Sequence, residues 1–277
     1  MEDCPSMEQQ GMLLIIGGAE DKSGECTVLR RFVELAGGSE AVIAILTAAA
    51  EAQTAVGEEY RDIFRSLGVR SVEVCHVANR QQANDREAMV KVQGATGVYF
   101  TGGDQLRITS LVGGTLLDDL LKELYLQGAV IAGTSAGASA MSDNMIVAGD
   151  GEEEPRREAI RMAPGLGLLK HTMVDQHFAQ RGRIGRLLGA LAQNPDILGV
   201  GIDEDTAIEV STSGRFTVVG NGCVTVLDGR GITISDISDT TSEEPLALCD
   251  VLLHVLPADY TFDLATRRPA SPKEEAH

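Results

Sequence analysis

The sequence predicts an α/β protein, with a mostly parallel central sheet flanked by helices and a β-rich antiparallel extension toward the C-terminus. Short apolar runs alternate with helical periodicity through the first half of the chain. Hydrophobic residues make up 43% of the chain but aromatics only 4%, so the core is built from Val, Ile, Leu and Ala, the material of buried parallel strands. In the last third, strand-like runs follow one another with turn signals and little helical spacing between them.

Residues 1–11 form a polar tail. "MLLIIGG" (12–18) is a strand ending in glycines, and Glu25 to Ala36 has helical apolar spacing. "AVIAILTAA" (41–49) is the next strand, and a helix around Glu58–Leu67 stops at Gly68. "SVEVCHV" (71–77) and "GVYFTGG" (97–103) are further strands. Helices are predicted from Gln105 to Leu111 and from Leu116 to Gln127, and a strand over Ala129–Ala132 follows. Residues 142–167 are charged and glycine-rich and match no single regular element. "TMVDQHF" (172–178) is a short strand and residues 183–194 a helix. "ILGVGID", "TAIEVS", "RFTVVGNGCVTVLD" and "GITISDI" are strands, with "VGNGCV" read as a hairpin. Polar residues 263–277, with two prolines, read as a disordered tail. Without repeat or linker, residues 12–262 are one expected domain.

The formal charge is -18, from 41 acidic against 23 basic residues, which disfavours a nucleic-acid partner. Five cysteines, widely spaced and with no CxxC pair, point to neither a disulfide framework nor a zinc site. The acidic, polar N-terminus does not read as a signal peptide, and no apolar run reaches the roughly 18 residues of a membrane span. The expectation is a cytoplasmic protein with no membrane partner, no metal and no cofactor.

Doubly wound sheets place their sites at the carboxyl ends of strands. The residues past four such ends are "GGAED", "TGGDQ", "GTSAGAS" and "DQHF". "GTSAG" (133–137) is a G-x-S-x-G at a strand-to-helix junction, where a sharp turn lifts a serine oxygen clear of the sheet. Gly133 and Gly137 remove side chains that would collide there, which makes Ser135 a candidate nucleophile rather than filler in an ordinary turn. His177, at the end of "TMVDQHF", is the candidate base; the blander reading is a hydrogen-bonded structural histidine. The acid that fixes its tautomer is Glu204 in "GIDEDTAI", with Glu153 (beside Asp150 and Glu152) in "GDGEEE" as the alternative. Ala136 N–H and either Gly103 or Asp104 are candidate oxyanion donors. Arg181, Arg183 and Arg186 form a local basic run that either grips substrate carboxylates or pairs with the protein's own acids. "GGAED" lacks both G-x-G-x-x-G and G-x-x-x-x-G-K-[ST], so it reads as a plain β-to-α turn rather than a nucleotide loop.

Together, "TGGDQLRITSL" (101–111), "GTSAGASAM" (133–141), "DQHFAQRGRIGRL" (175–187) and "GIDEDTAI" (201–208) closely resemble cyanophycinases, members of the peptidase-E-like group of serine peptidases. The resemblance runs from about Leu13 to Val226. It implies an α/β sandwich, commonly dimeric and needing no metal. It further implies cleavage of the cyanophycin polymer, an aspartate backbone with arginine on each β-carboxyl, into β-Asp-Arg dipeptides. Carried over, Ser135 attacks, His177 relays the proton and Glu204 orients it. Gly103, Asp104 and Ala136 surround the oxyanion, and Gln105, Asp175, Gln176, Arg181, Arg183 and Arg186 form the substrate pocket. The competing readings are a dipeptidase for Asp-Xaa peptides, which should not need the arginine run, and a non-catalytic relative on the same fold. An amidotransferase-like domain would carry cysteine at the elbow.

Overall fold

In the computed structural model, which describes residues 11–148, 155, 160–239 and 244–273, the first apolar run becomes strand β1 (Leu13–Ile16), buried throughout. Leu13 and Ile15 enter one apolar cluster and Leu14 and Ile16 another. A strand covered on both faces needs no polar side, so it reads as an unbroken apolar run. Strands β2 (Val42–Leu46), β3 (Ser71–Cys75), β4 (Gly97–Phe100) and β5 (Val130–Thr134) follow, the first and last pair of them likewise apolar. Between them run α1 (Thr27–Leu35), α2 (Gln53–Ser66), α3 (Arg86–Val92), α4 (Gln105–Val112) and α5 (Leu116–Leu126). Helix α2 begins at Gln53 rather than Glu58, and α3, of 7 residues, is too short for its spacing to stand out in the sequence.

The chain then forms α6 (Ala136–Ala140) and the antiparallel pair β6 (Asn144–Ala148) and β7 (Arg161–Pro164), within the stretch that matched no element. β8 (Thr172–Gln176), α7 (Ile184–Gln193), β9 (Leu198–Ile202), β10 (Thr206–Val210), β11 (Arg215–Gly220) and β12 (Cys223–Asp228) come next. β13 (Ile234–Ser235) pairs with β14 (Leu248–Cys249), and β15 (Leu252–Pro257), β16 (Thr261–Asp263) and β17 (Arg268–Ala270) end the fold.

A nine-stranded sheet has the order β17-β16-β11-β10-β1-β5-β4-β2-β3. It is parallel from β1 to β3 and antiparallel from β1 outward to β17. A second sheet, β15-β12-β9-β8, packs against it. Ile131 and Val98 of the first sheet share an apolar cluster with Val174, Val200 and Val226 of the second. Phe32 of α1 and Phe64 of α2 help cover the opposite face of the large sheet.

Three details depart from the sequence reading. "VGNGCV" is no hairpin: β11 pairs with β10 and β16, whereas β12 pairs with β9 and β15, so the turn carries the chain from one sheet to the other. β8 and β9 belong to the second sheet rather than to a continuous doubly wound one. Residues beyond 263 are not all tail, because β17 pairs with β16 and Arg267 is buried on Asp228. Backbone pairing and one ion pair order that stretch, and neither needs apolar side chains.

Candidate active site

Ser135 follows β5 directly and is the one residue from 129 to 142 that is not buried. Its backbone sits at φ 53°, ψ -109°, a conformation that costs an L-residue energy and is held by the surrounding structure. A Cβ at Gly133 would lie 2.6 Å from the carbonyl carbon of Gly137, and one at Gly137 2.6 Å from the Phe100 carbonyl oxygen. Side chains at either position would push the elbow off the sheet. The serine N–H donates to the Ile16 carbonyl at 3.0 Å, pinning the turn to β1.

The His177 Nε2 is 3.0 Å from Ser135 Oγ, and its Nδ1 is 2.7 Å from Glu204 Oε1. His177 follows β8 and Glu204 follows β9, so two adjacent parallel strands deliver the pair. Hydroxyl, imidazole and carboxylate in series can move a proton from oxygen to nitrogen and hold the resulting cation. Burial pushes the imidazole below its ordinary value; Glu204 opposes the shift, and Arg181 and Arg183 add to it. The flanking acids of "GIDEDTAI" hold turns instead. Asp203 accepts the N–H groups of Ala179 and Cys223, and Asp205 accepts the N–H of Asp21. Glu153, with Asp150 and Glu152, lies outside the described residues.

The "TGGDQ" loop borders the elbow: a Cβ at Gly102 would be 3.5 Å from the Ser135 Cβ. The expectation for Asp104 as an oxyanion donor needs correction. Its N–H donates to the Ala49 carbonyl at 3.1 Å, and its side chain caps α4 through Leu106 N–H at 2.8 Å. Of the three candidates, Gly103 and Ala136 are the ones not given to a partner in this way.

The substrate-pocket residues separate into two groups. Asp175 is fully buried and takes a forked pair of hydrogen bonds from Arg186, with Arg183 Nη1 at 3.4 Å. Arg183 also donates to the backbone and side-chain oxygens of Gln176 at 2.5 and 2.6 Å. Burial draws the Arg183 guanidinium down to about 10. These arginines therefore pair with the protein's own acid, the second of the two readings left open by the sequence. Gln105 donates to the Ile146 carbonyl at 2.8 Å and so fixes β6. Arg181 alone of the basic run is exposed.

One cluster escaped sequence reasoning. Glu20, in the "GGAED" turn, is only 4% exposed and accepts hydroxyl hydrogen bonds from Tyr60, Tyr99 (2.7 Å) and Thr134 (2.5 Å). The available signal was an acid placed just past a buried strand end. The tyrosines that meet it are distant in sequence and carry no motif.

Comparison with known proteins gives the family. The sequence model of peptidase family S51 matches residues 12–218. A cyanophycinase of Synechococcus elongatus is 38% identical over 260 residues, covering 94% of this chain and 81% of the relative. A cyanophycinase of Geminocystis herdmanii (strain PCC 6308) is 39% identical over 258 residues, covering 93% and 95%. Among solved structures, a peptidase from an acI-B1 Actinobacterium superposes with TM-score 0.65 at 22% identity, covering 89% of this chain and 98% of that one. A putative peptidase E protein from Listeria monocytogenes EGD-e gives 0.51 at 19% identity, covering 73% and 94%; at these identities the likeness is one of fold. The family match spans the elbow, the histidine and the acid, and this chain belongs to peptidase family S51.

Proposed function

We propose that this chain hydrolyses cyanophycin to β-Asp-Arg dipeptides through an acyl-enzyme on Ser135. The observation that carries the reading is the Ser135–His177–Glu204 relay at a strained elbow, in a chain 38% identical to cyanophycinases over most of its length. Ser135 Oγ attacks a main-chain aspartyl carbonyl while His177 Nε2 takes its proton. The N–H groups of Gly103 and Ala136 receive the developing oxyanion. The tetrahedral species collapses as His177 protonates the leaving amine. Water, activated by the same imidazole, then releases the dipeptide and restores Ser135.

Arg181, exposed beside the His177 turn, is the residue of the basic run that meets a substrate carboxylate. Arg183, Arg186, Asp175, Gln176 and Gln105 hold the floor of the pocket rather than gripping substrate. The formal charge of -18 favours approach of a polymer covered in guanidinium groups, an attraction that salt weakens. The same reading takes residues 12–270 as one catalytic unit, because both sheets share an apolar cluster. It also takes the enzyme as a cytoplasmic homodimer, for which the exposed Leu252, Leu253 and Val255 of β15 offer a surface.

Incubation with insoluble cyanophycin, with mass spectrometry of the supernatant, tests this. Soluble β-Asp-Arg is expected from the wild type and none from Ser135→Ala. Cleavage of a small Asp-Xaa peptide without release from the polymer would replace this reading with the dipeptidase one.

A further inference from the structure

The end of β1 and the loop after it touch Ser135 and His177 and reach the neighbour of Glu204. The Ile16 carbonyl accepts the Ser135 N–H at 3.0 Å, and the Gly17 carbonyl accepts the His177 N–H at 2.8 Å. Gly18 lies under the imidazole: a Cβ there would be 2.4 Å from His177 Cε1, and its φ of 99° already excludes most side chains. The Gly18 carbonyl accepts the Asp205 N–H at 2.9 Å, next to Glu204. Loop position therefore bears on where hydroxyl and imidazole stand relative to one another.

A loop of two glycines has little stiffness of its own, and Glu20 supplies the anchor. One carboxylate oxygen accepts the hydroxyls of Tyr60 from α2 and Tyr99 from β4, and the other accepts that of Thr134, the residue before Ser135. All four groups are buried. Among the described residues no ion pair involves Glu20, and Lys22 instead pairs with Glu59 and stands 4.3 Å from the Tyr60 ring centroid. A desolvated carboxylate held by hydroxyls alone is costly for stability, since isolated buried charge is disfavoured and neutral donors offset only part of it. Its geometry fits a different use.

We propose that Glu20 is a positioning residue, which clamps the 17–20 loop to Tyr60, Tyr99 and Thr134 and thereby sets the Ser135–His177 separation. The proposal rests on Ser135 being the nucleophile. Glutamine at position 20 has an amide nitrogen where a carboxylate oxygen accepted a hydroxyl, so the three hydroxyls can no longer all be received. Displacement of a reacting group by about 1 Å can cost about 100-fold in rate.

A fluorophosphonate tests it without depending on the natural substrate. Attack by Ser135 Oγ forms the O–P bond and expels fluoride, with the serine proton passing to His177. Glu20→Gln is expected to react about 10- to 100-fold more slowly while still reaching one label per chain at saturation. Thr134→Val and Tyr99→Phe should slow labelling in the same direction, and Thr134→Ser, which restores the hydroxyl, should recover the rate lost in Thr134→Val. A merely structural role would lower the fraction of chains that label and leave the rate of the labelled fraction unchanged. That outcome, or wild-type rates in Glu20→Gln and Thr134→Val, overturns the proposal. If Glu20→Gln does not fold, Thr134→Val and Tyr99→Phe decide it by the same comparison. A wild type that never labels removes the nucleophile itself, and the proposal with it, and is distinct from an unaffected variant.

Discussion

The His177 imidazole, the proposed base, has surroundings that oppose its protonation. Burial depresses it below 6.5, Glu204 raises it and the two nearby guanidinium groups lower it again, with a net depression. Because the proposed mechanism uses the neutral form as base, the acidic limb of kcat/KM is expected below pH 6.5. Glu204→Gln removes the interaction that raises the imidazole, so the limb moves to still lower pH as the rate falls by about 10³- to 10⁴-fold. A pH–rate profile of both proteins checks the two effects together. A limb that moved upward in the variant would contradict the assignment of Glu204. The same shift affects folding: below pH 6.5 the unfolded chain takes up a proton that the folded histidine resists. Its contribution to stability is therefore present above 6.5 and is lost as pH falls through the lower folded value.

At the scale of elements, the β8–α7 connection is set by one acid. Asp175 is the second-last residue of β8, and the guanidinium groups it receives come from the start of α7. His177 leaves the same strand two residues later, at a positive φ of 49°. Asp175→Asn would take a buried carboxylate away from two buried guanidinium groups, a change worth about 3–5 kcal/mol. The expected result is a lower urea midpoint with little change in slope, accompanied by loss of activity. Unchanged stability would mean that the arginines do not depend on Asp175. The arrangement explains how a basic run that resembles a substrate grip can be spent mainly on fixing a strand to a helix.

For the whole molecule, the two sheets must keep their relative position, because the large one supplies Ser135 and the small one supplies His177 and Glu204. Beyond the shared apolar cluster, Arg267 links them. It lies in the turn between β16 and β17 of the large sheet, donates to Asp228 at the end of β12 at 2.6 Å, and also reaches the Asp196 carbonyl. Burial would raise the Asp228 carboxyl, but Arg230 and Arg267 hold it below the ordinary carboxylate value. Arg267→Ala should cost about 2 kcal/mol, less than a fully orphaned pair because Arg230 remains. Thermal unfolding monitored at more than one probe checks it. A midpoint equal to that of the wild type would assign the coupling of the sheets to the apolar cluster alone.

Much of this was legible in the chain. Strands buried on both faces leave continuous apolar runs, so β1, β2, β4 and β5 stood out, and the elbow declared itself because only small residues tolerate its close contacts. Ser135, His177 and Glu204 each lie just past a strand end, where local pattern and topology coincide. What the sequence by itself determined was thus the fold class, the family's motifs and the candidate relay. Only the tertiary structure decided partnership. Whether Arg183 and Arg186 face substrate or Asp175, whether Asp104 N–H is available or given to Ala49, and whether "VGNGCV" joins one sheet or two all depend on groups far apart in the chain. Glu20 is the clearest case, since its neighbours come from positions 60, 99 and 134. Local sequence records what a backbone can do at each point, whereas a buried polar group takes its meaning from the donors that folding brings to it.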